Sequence, residues 1–306
     1  MCTLPLLSIC IPTYNRVDSL KNLLPFLEDE LELVDPLKVE IIVSDNCSND
    51  QTRDFVDDFI AKKARNKNFI FNENAENKGA EANFRILQKM ARGKYVWIMG
   101  DDDIYYHGIL QKVLIEIEKD EYSLILLNHC IYKEYKGDKS YVPSVFEGVD
   151  VNRCDKNVLL DLLGTKYGTC IMFISAAIHR NDIIHELETK GFKVNMAYSM
   201  LKCFYSASKG KTKIIKDIYI EDNIGTIGWT NKSTQVFEID VPYVIRLLPL
   251  LSYDEKWKVA YKKYMINKRL PYTFCGLLYR MIMDPYWSMS SLLKNRHRFN
   301  NIISFI

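Results

Sequence analysis

The sequence predicts an α/β fold, a mostly parallel sheet flanked by helices with a helical C-terminal extension, and two observations predict it. Short apolar runs alternate with segments of helical period through the first half of the chain. The residues that directly follow those runs are unusually polar, as expected of loops at the carboxyl ends of buried parallel strands, where ligands of such sheets bind.

The runs that read as strands are Leu6 to Ile11, Val39 to Val43, Phe69 to Phe71, Tyr95 to Met99 and Leu124 to Leu127. Between them, Val17 to Leu27, Gln51 to Ala64, Glu81 to Ala91 and Gly108 to Lys119 repeat their apolar residues with helical spacing. Beyond Cys130 the pattern predicts a hairpin around Gly137 and Asp138, a helix near Asn157 to Leu163 and a strand near Cys170 to Ser175. Helices over Asp182 to Lys190 and Met196 to Ser208 follow, then a strand over Lys213 to Ile220 that closes the core. From about Val241 the chain turns helical, aromatic and basic, broken by Pro249, Pro271 and Pro285.

With 306 residues, 48% apolar and 26% charged, the composition is that of a folded globular chain rather than a disordered one. The eight cysteines are scattered without metal-ligand spacing and read as reduced core thiols of a cytosolic protein. The first apolar run lacks the basic lead and cleavage site of a signal peptide, so secretion is not expected. No stretch approaches the ~18 apolar residues of a membrane-spanning helix. Charge is unevenly placed: residues 256 to 306 hold ten Lys or Arg against the single acid Asp284, leaving 31 basic and 38 acidic residues of the totals of 41 and 39 before them. Within that basic region Trp257, Tyr261, Tyr264 and Met265 share a helical face, and Met289, Leu292, Phe299, Ile303 and Ile306 share another. Basic amphipathic helices suit an anionic membrane surface, or they pack on the core; no nucleic-acid motif accompanies the charge.

Three consecutive carboxylates, Asp101, Asp102 and Asp103, follow the fourth strand. Like charges so close repel unless a cation neutralises them, and an all-oxygen set suits Mg²⁺ or Mn²⁺; a solvated loop capping the next helix is the plainer reading. Asp45 ends the second strand, placed to accept a hydrogen bond from a pyrimidine or guanine base, while Ser48 and Asp50 read as caps of the following helix. After the first strand, Tyr14 offers a face for base stacking and Arg16 a charge for phosphate. After the third, Asn77 and Gly79 fit a turn, whereas Asn83 lies inside a helix and offers an amide to a ligand.

The stretches Ser-Ile-Cys-Ile-Pro-Thr-Tyr-Asn-Arg (8 to 16), Ile-Ile-Val-Ser-Asp-Asn-Cys-Ser-Asn-Asp-Gln-Thr (41 to 52), Asn-Lys-Gly-Ala-Glu-Ala-Asn (77 to 83) and Gly-Lys-Tyr-Val-Trp-Ile-Met-Gly-Asp-Asp-Asp (93 to 103) resemble, in order and spacing, the family 2 glycosyltransferases of GT-A fold. The resemblance covers residues 4 to 130 well, 130 to 225 loosely and the rest hardly at all. It implies a GT-A catalytic domain over 1–225, with a nucleotide-sugar and metal-binding half (1–130) and an acceptor half (131–225), before the basic region 226–306. It implies that Pro12, Thr13, Tyr14, Arg16, Asp45, Asn83 and Asp101 bind the nucleotide, and that Asp102, with Asp103 and Asp101, holds Mn²⁺ or Mg²⁺. Gly100 stands where the family's motif has its first Asp, a departure similar to the O-antigen dideoxysugar (abequosyl-type) transferases.

The implied reaction moves a sugar from a nucleotide-sugar donor to a saccharide acceptor, lipid-linked if the basic region meets a membrane. Bacterial surface polysaccharide such as O-antigen lipopolysaccharide is the implied product, made in the cytoplasm at the inner face of the membrane. Family members that invert the anomeric centre carry an acid before a downstream helix, but Gly191 to Met200 contains none. Glu186, Glu188, Asp182 and His107 are the candidate bases, and the base stays unassigned. A sugar nucleotidyltransferase is the competing enzyme, although its Gly-rich, Arg-containing first loop is missing. A nucleotide- or saccharide-binding module without a base is the non-enzymatic alternative. A dinucleotide-dependent dehydrogenase is disfavoured because no GxGxxG follows the first strand.

Overall fold

The computed structural model describes residues 4–62, 69–135, 138–223 and 235–268. Strands β1 (Leu7–Thr13), β2 (Val39–Asp45), β3 (Phe69–Glu73) and β4 (Tyr95–Ile98) pair in parallel in the order β3-β2-β1-β4. Side-chain parity decides which helices cover them. Ile9, Ile11, Ile41, Val43 and Trp97 point to one face and pack under α1 (Val17–Leu31), α2 (Thr52–Lys62) and α4 (Ile109–Ile117). Cys10, Ile42, Val96 and Ile98 point to the other, under α3 (Ala80–Met90) and α6 (Asn181–Thr189).

The second half of the sheet is mixed. Strand β8 (Ala177–Arg180) runs antiparallel between β4 and β6 (Tyr122–Tyr135), β6 pairs in parallel with β9 (Lys211–Asn223), and β5 (Ile104–Tyr105) lies antiparallel on β9. The expected hairpin is β6 with β7 (Asp138–Val142), where Tyr135 faces Asp138 across residues 136–137, which lie outside the described set. A separate apolar cluster joins this half to α5 (Val158–Leu163), α7 (Tyr198–Lys209), α8 (Val241–Leu247) and α9 (Lys256–Lys268).

Two expectations are corrected. Cys170 to Ser175 is not a strand but short 3₁₀ turns, Gly168–Met172 and Ile174–Ala176; the strand is β8 just after them. Because Tyr95 pairs with Arg180 and Trp97 with Ile178, residues before Ala177 lie past the end of β4 and have no ladder partner. Ser48 does not cap α2. Asp50 does that work, accepting from Thr52 N at 2.9 Å, and its other oxygen accepts from Val17 N at 3.1 Å, so it holds the starts of α2 and α1 together.

The predicted apolar face of the first basic helix is real but occupied. Trp257 and Tyr264 of α9 are buried in the cluster with α5 and α7, so this face packs on the core rather than facing a membrane. The second predicted stripe, Met289 to Ile306, lies outside the described residues.

At the amino edge of the sheet, Glu40 is fully buried and holds three elements together. Its carboxylate accepts from Ser8 Oγ at 2.5 Å, from Arg92 N at 2.6 Å, from Arg92 Nε at 2.8 Å and from Gly93 N at 3.2 Å. Gly93 is required there, since a Cβ would lie 2.5 Å from Ser8 N.

Candidate active site

The carboxyl ends of β1, β2 and β4 meet at one corner, and loop chemistry positions its side chains. Thr13, at the end of β1, is buried and donates from Oγ1 to Asp101 Oδ2 at 2.8 Å. Arg16 donates from Nη1 to Asp101 Oδ1 at 2.7 Å and lies 2.8 Å from Asp102 Oδ2. Asn15, held at φ 52°, uses its backbone N–H and its side chain to bind the second loop, through Ser48 Oγ at 2.7 Å and Asn49 N at 2.8 Å. Pro12 is half-buried, and Tyr14 is exposed at 43%.

The three aspartates diverge. Asp101 is buried against Thr13 and Arg16. Asp103 turns inward, where Ser175 Oγ donates to its Oδ2 at 2.5 Å and Tyr105 Oη lies 3.5 Å away. Asp102 keeps its side chain 35% exposed, with Arg16 as its ion-pair partner. Burial pushes the Asp103 carboxyl up to about 7, and the charges of Asp102, Asp222 and Asp101 press the same way against the Ser175 hydrogen bond. Burial also raises Asp101, opposed by Arg16 and Thr13. Arg16 is itself held above its ordinary value; burial works against its charge, but Asp101, Asp102 and Asp103 outweigh it.

Gly100 now has a physical explanation. Its N–H donates to Ser175 Oγ at 3.0 Å, and a Cβ on it would stand 2.5 Å from Asp103 Oδ2 and 2.9 Å from Ser175 Oγ. Any side chain at position 100 would collide with the Asp103–Ser175 pair. Trp97 secures that pair from below, donating from Nε1 to the Ser175 carbonyl at 2.8 Å.

Among the described residues no group of three His, Cys, Asp or Glu side chains forms a ready cage for a metal. The donor set nevertheless fits a hard divalent cation. Mg²⁺ and Mn²⁺ take few protein carboxylates and complete their shell with water and phosphate oxygens. Of the three, Asp102 is the carboxylate that faces outward, while burial raises the carboxyls of Asp101 and Asp103 beside it.

Asp45 and Asn83 are less available than the sequence suggests. Asp45 is fully buried, and both its oxygens accept from Ser48, through the hydroxyl and through the backbone N–H at 3.0 Å. Asn83, 2% exposed, is spent on the β2 end: it donates to the Ser44 carbonyl at 2.8 Å and accepts from Ser44 Oγ at 2.6 Å and Asn74 Nδ2 at 3.0 Å. Asn46, Asn74 and Asn77 continue this amide network, with Asn46 Nδ2 donating to Asn77 Oδ1 at 2.8 Å. Sequence reasoning missed this function; three asparagines in the two loops, followed by Asn83 in α3, are its signal.

The base candidates are scattered. Asp182 pairs with Arg180, whose partner Tyr95 begins β4, so it sits at the edge of the sheet opposite the aspartates. Glu186 binds Lys209 and Lys190; the Lys209 hydrogen bond comes first among the contacts that hold its carboxyl down at about 2. His107 lies against Glu30 at 3.1 Å, where Glu30 also accepts from Gly108 N and Leu110 N at the start of α4. Glu188 alone reaches the α3–α7 side, and its oxygens are taken by Arg85 Nη2 at 2.8 Å and Tyr198 Oη at 3.0 Å.

The sequence profile described as "Glycosyl transferase family 2" matches residues 8–180, more than half of the chain. The chain belongs to glycosyl transferase family 2. Among curated members, it is 38% identical over 98 residues to "Abequosyltransferase RfbV" of Salmonella typhimurium, covering 32% of this chain and 28% of that protein. It is 27% identical over 167 residues to "UDP-Glc:alpha-D-GlcNAc-diphosphoundecaprenol beta-1,3-glucosyltransferase WfaP" of Escherichia coli, covering 53% of this chain and 62% of that one. These matches span less than two thirds of the relatives' lengths. The GT-A fold of the family is shared with S. aureus TarS 1-349 solved in complex with UDP-GlcNAc, at TM-score 0.63 and 18% identity over 85% of this chain and 72% of that one. It is shared also with mannosyltransferase PcManGT of Pyrobaculum calidifontis, solved with GDP-Man and Mn²⁺, at TM-score 0.56 and 16% identity over 96% and 80%.

Proposed function

We propose that this family 2 chain transfers a sugar from a nucleotide-sugar donor to a saccharide acceptor carried on a lipid diphosphate, in bacterial surface-polysaccharide synthesis. The observation that carries the reading is the Arg16 bridge between Asp101 and Asp102, two residues after the exposed Tyr14, where three parallel strands end. Arg16 presents a guanidinium with further N–H donors to a diphosphate, and Thr13 fixes Asp101 so that Asp102 alone faces outward. Tyr14 stacks the base. When bound, Mg²⁺ or Mn²⁺ would be held by Asp102, backed by Asp101 and Asp103, and would neutralise charge on the departing nucleoside diphosphate. Preorganised groups aimed at charge that develops in the transition state are where such a site gains rate. The name of one relative, a glucosyltransferase acting on a diphosphoundecaprenol-linked sugar, supports the acceptor class, and that of the abequosyltransferase supports sugar transfer.

Calorimetric titration with UDP, CDP, GDP and dTDP, each with Mn²⁺ and with chelator, tests the donor site. One of them binds in a metal-dependent way; binding of none would sink the reading.

A membrane role rests on the outer side of α9, where Lys258, Lys262 and Lys263 are exposed, and on the basic residues beyond it. Since Trp257 and Tyr264 belong to the core, the test changes charge and leaves those residues in place. Replacing Lys258, Lys262 and Lys263 by Glu weakens sedimentation with anionic phosphatidylglycerol vesicles at low salt, while equal sedimentation would reject contact through this face.

A further inference from the structure

Glycosyl transfer to a hydroxyl needs a group that removes its proton, and each acid named above is engaged elsewhere. Asp101 is held by Thr13 and Arg16, Asp103 by Ser175, Asp45 by Ser48 and Glu188 by Arg85 and Tyr198. One carboxylate is different. Glu81, in the first turn of α3, is half-buried and has no hydrogen-bond or ion-pair partner among the described residues.

Glu81 lines a cavity between α3, β4, β8 and α7. The free space is about 30 Å³, which by the usual measure admits roughly two waters. Two further polar side chains line it whose end groups make no hydrogen bond among the described residues. Lys202 of α7 is 7% exposed, and its Nζ makes no hydrogen bond among the described residues, lying 5.2 Å from the Tyr198 ring centroid. Gln88 Oε1 is buried and unpaired two helical turns further along α3. A buried amide oxygen left unbonded is costly, and the Tyr198 ring is no substitute for a hydrogen bond to the Lys202 ammonium, so the cavity suits a group that both donates and accepts, such as a hydroxyl.

The cavity adjoins the aspartate corner. Its wall includes Ile98, two residues before Gly100, and Ile174, the neighbour of the Ser175 that binds Gly100 and Asp103. We infer that Glu81 is the base that deprotonates the acceptor hydroxyl, with Lys202 beside it as the positioning cation; this rests on the transferase reading above. As the acceptor oxygen bonds to the anomeric carbon, its proton passes to a Glu81 oxygen. The bond from that carbon to the diphosphate oxygen breaks, and its electron pair leaves with the nucleoside diphosphate. Glu81 then returns the proton to water.

The charges around Glu81 suit the task. Burial raises its pKa, and Lys202 and Arg85 pull it down while Glu188 pushes it up. His179 and Cys203, the other titratable groups of the cavity, stay neutral: burial, then Lys202, holds His179 near 3, and burial raises the Cys203 thiol to about 12 against the pull of Lys202. Burial lowers the Lys202 pKa, opposed by Glu81 and Glu188.

The test uses the full chain with Mn²⁺ and UDP-glucose, UDP-N-acetylglucosamine, GDP-mannose and a CDP-sugar as probes, reading nucleoside diphosphate release with water as acceptor from pH 5 to 9. Glu81→Gln lowers kcat ~10²–10⁴-fold while nucleoside diphosphate affinity stays within twofold, which shows the donor site intact. Lys202→Met moves the acidic limb of the wild-type kcat profile to higher pH, because the cation that favours the Glu81 carboxylate is gone; a structural role alone would leave the limb in place. Release by Glu81→Gln within threefold of wild type, or an unmoved limb in Lys202→Met, would overturn the inference. A wild-type chain that releases no nucleoside diphosphate from any donor counts against the transferase reading, and the inference falls with it.

Discussion

Asp102→Ala leaves the fold intact and nearly abolishes turnover, with kcat/KM falling ~10²–10³-fold or more. The side chain is 35% exposed and its ion-pair partner is the half-exposed Arg16, so truncation opens no core cavity and strands no buried donor. The loss is therefore chemical. The signature to measure is unchanged thermal unfolding together with loss of the metal-dependent part of nucleotide binding. Asp102→Asn separates charge from shape, and it is expected to lose nearly as much, because an amide is a poor ligand for Mg²⁺ or Mn²⁺. Near-normal turnover in a folded Asp102→Ala chain would remove the aspartate corner from the mechanism.

Glu40→Ala has the largest expected effect on stability. The carboxylate is fully buried and satisfies donors from β1, from Arg92 and from Gly93. Removing it leaves the Ser8 hydroxyl proton and the Arg92 backbone N–H without a partner, while Gly93 N keeps its 2.7 Å bond to Ser8 Oγ and the half-exposed Arg92 guanidinium turns to water; two such donors at about 1–3 kcal/mol each cost about 2–6 kcal/mol. At roughly 2–4 °C per kcal/mol for chains of this size, thermal unfolding shifts down by about 10 °C. The corner lies at the other end of the strands, so nucleotide affinity measured well below the transition is unchanged. A shift under 2 °C would mean that the edge is held by other contacts.

The parallel half of the fold was legible because β1, β2 and β4 are apolar runs buried on both faces, and the polar residues from Tyr14, Asn46 and Gly100 onward mark their loops. Thr13, Arg16 and the aspartates were legible as a group for the same reason: adjacent parallel strands bring their trailing residues together whatever the distance in sequence. What was not legible depends on partners far along the chain. The burial of Asp45 and Asn83 follows from Ser48, Ser44 and Asn74 closing over them, which no local pattern announces. The Cys170 to Ser175 stretch has the composition of a strand, yet β4 has already ended where a ladder would need it. An apolar stripe such as Trp257 and Tyr264 reports that a helix has a buried face but not what covers it. Glu81 left no sequence signal of its own, since an acid in a first helical turn is ordinary.

The strand order also has a consequence for biogenesis. All of β3-β2-β1-β4 has been synthesised once Ile98 emerges, but the open edge of β4 is closed by β8, whose first residue is Ala177. At ~5–20 residues per second, the roughly eighty intervening residues take ~4–16 s to appear. For that interval the nascent half-sheet carries an apolar edge strand with unmet backbone groups, which is a template for pairing with a neighbouring chain. Shielding of that edge by a ribosome-associated chaperone, or a translation rate fast enough to shorten its exposure, would govern the yield of native protein more strongly than the stability of the finished fold.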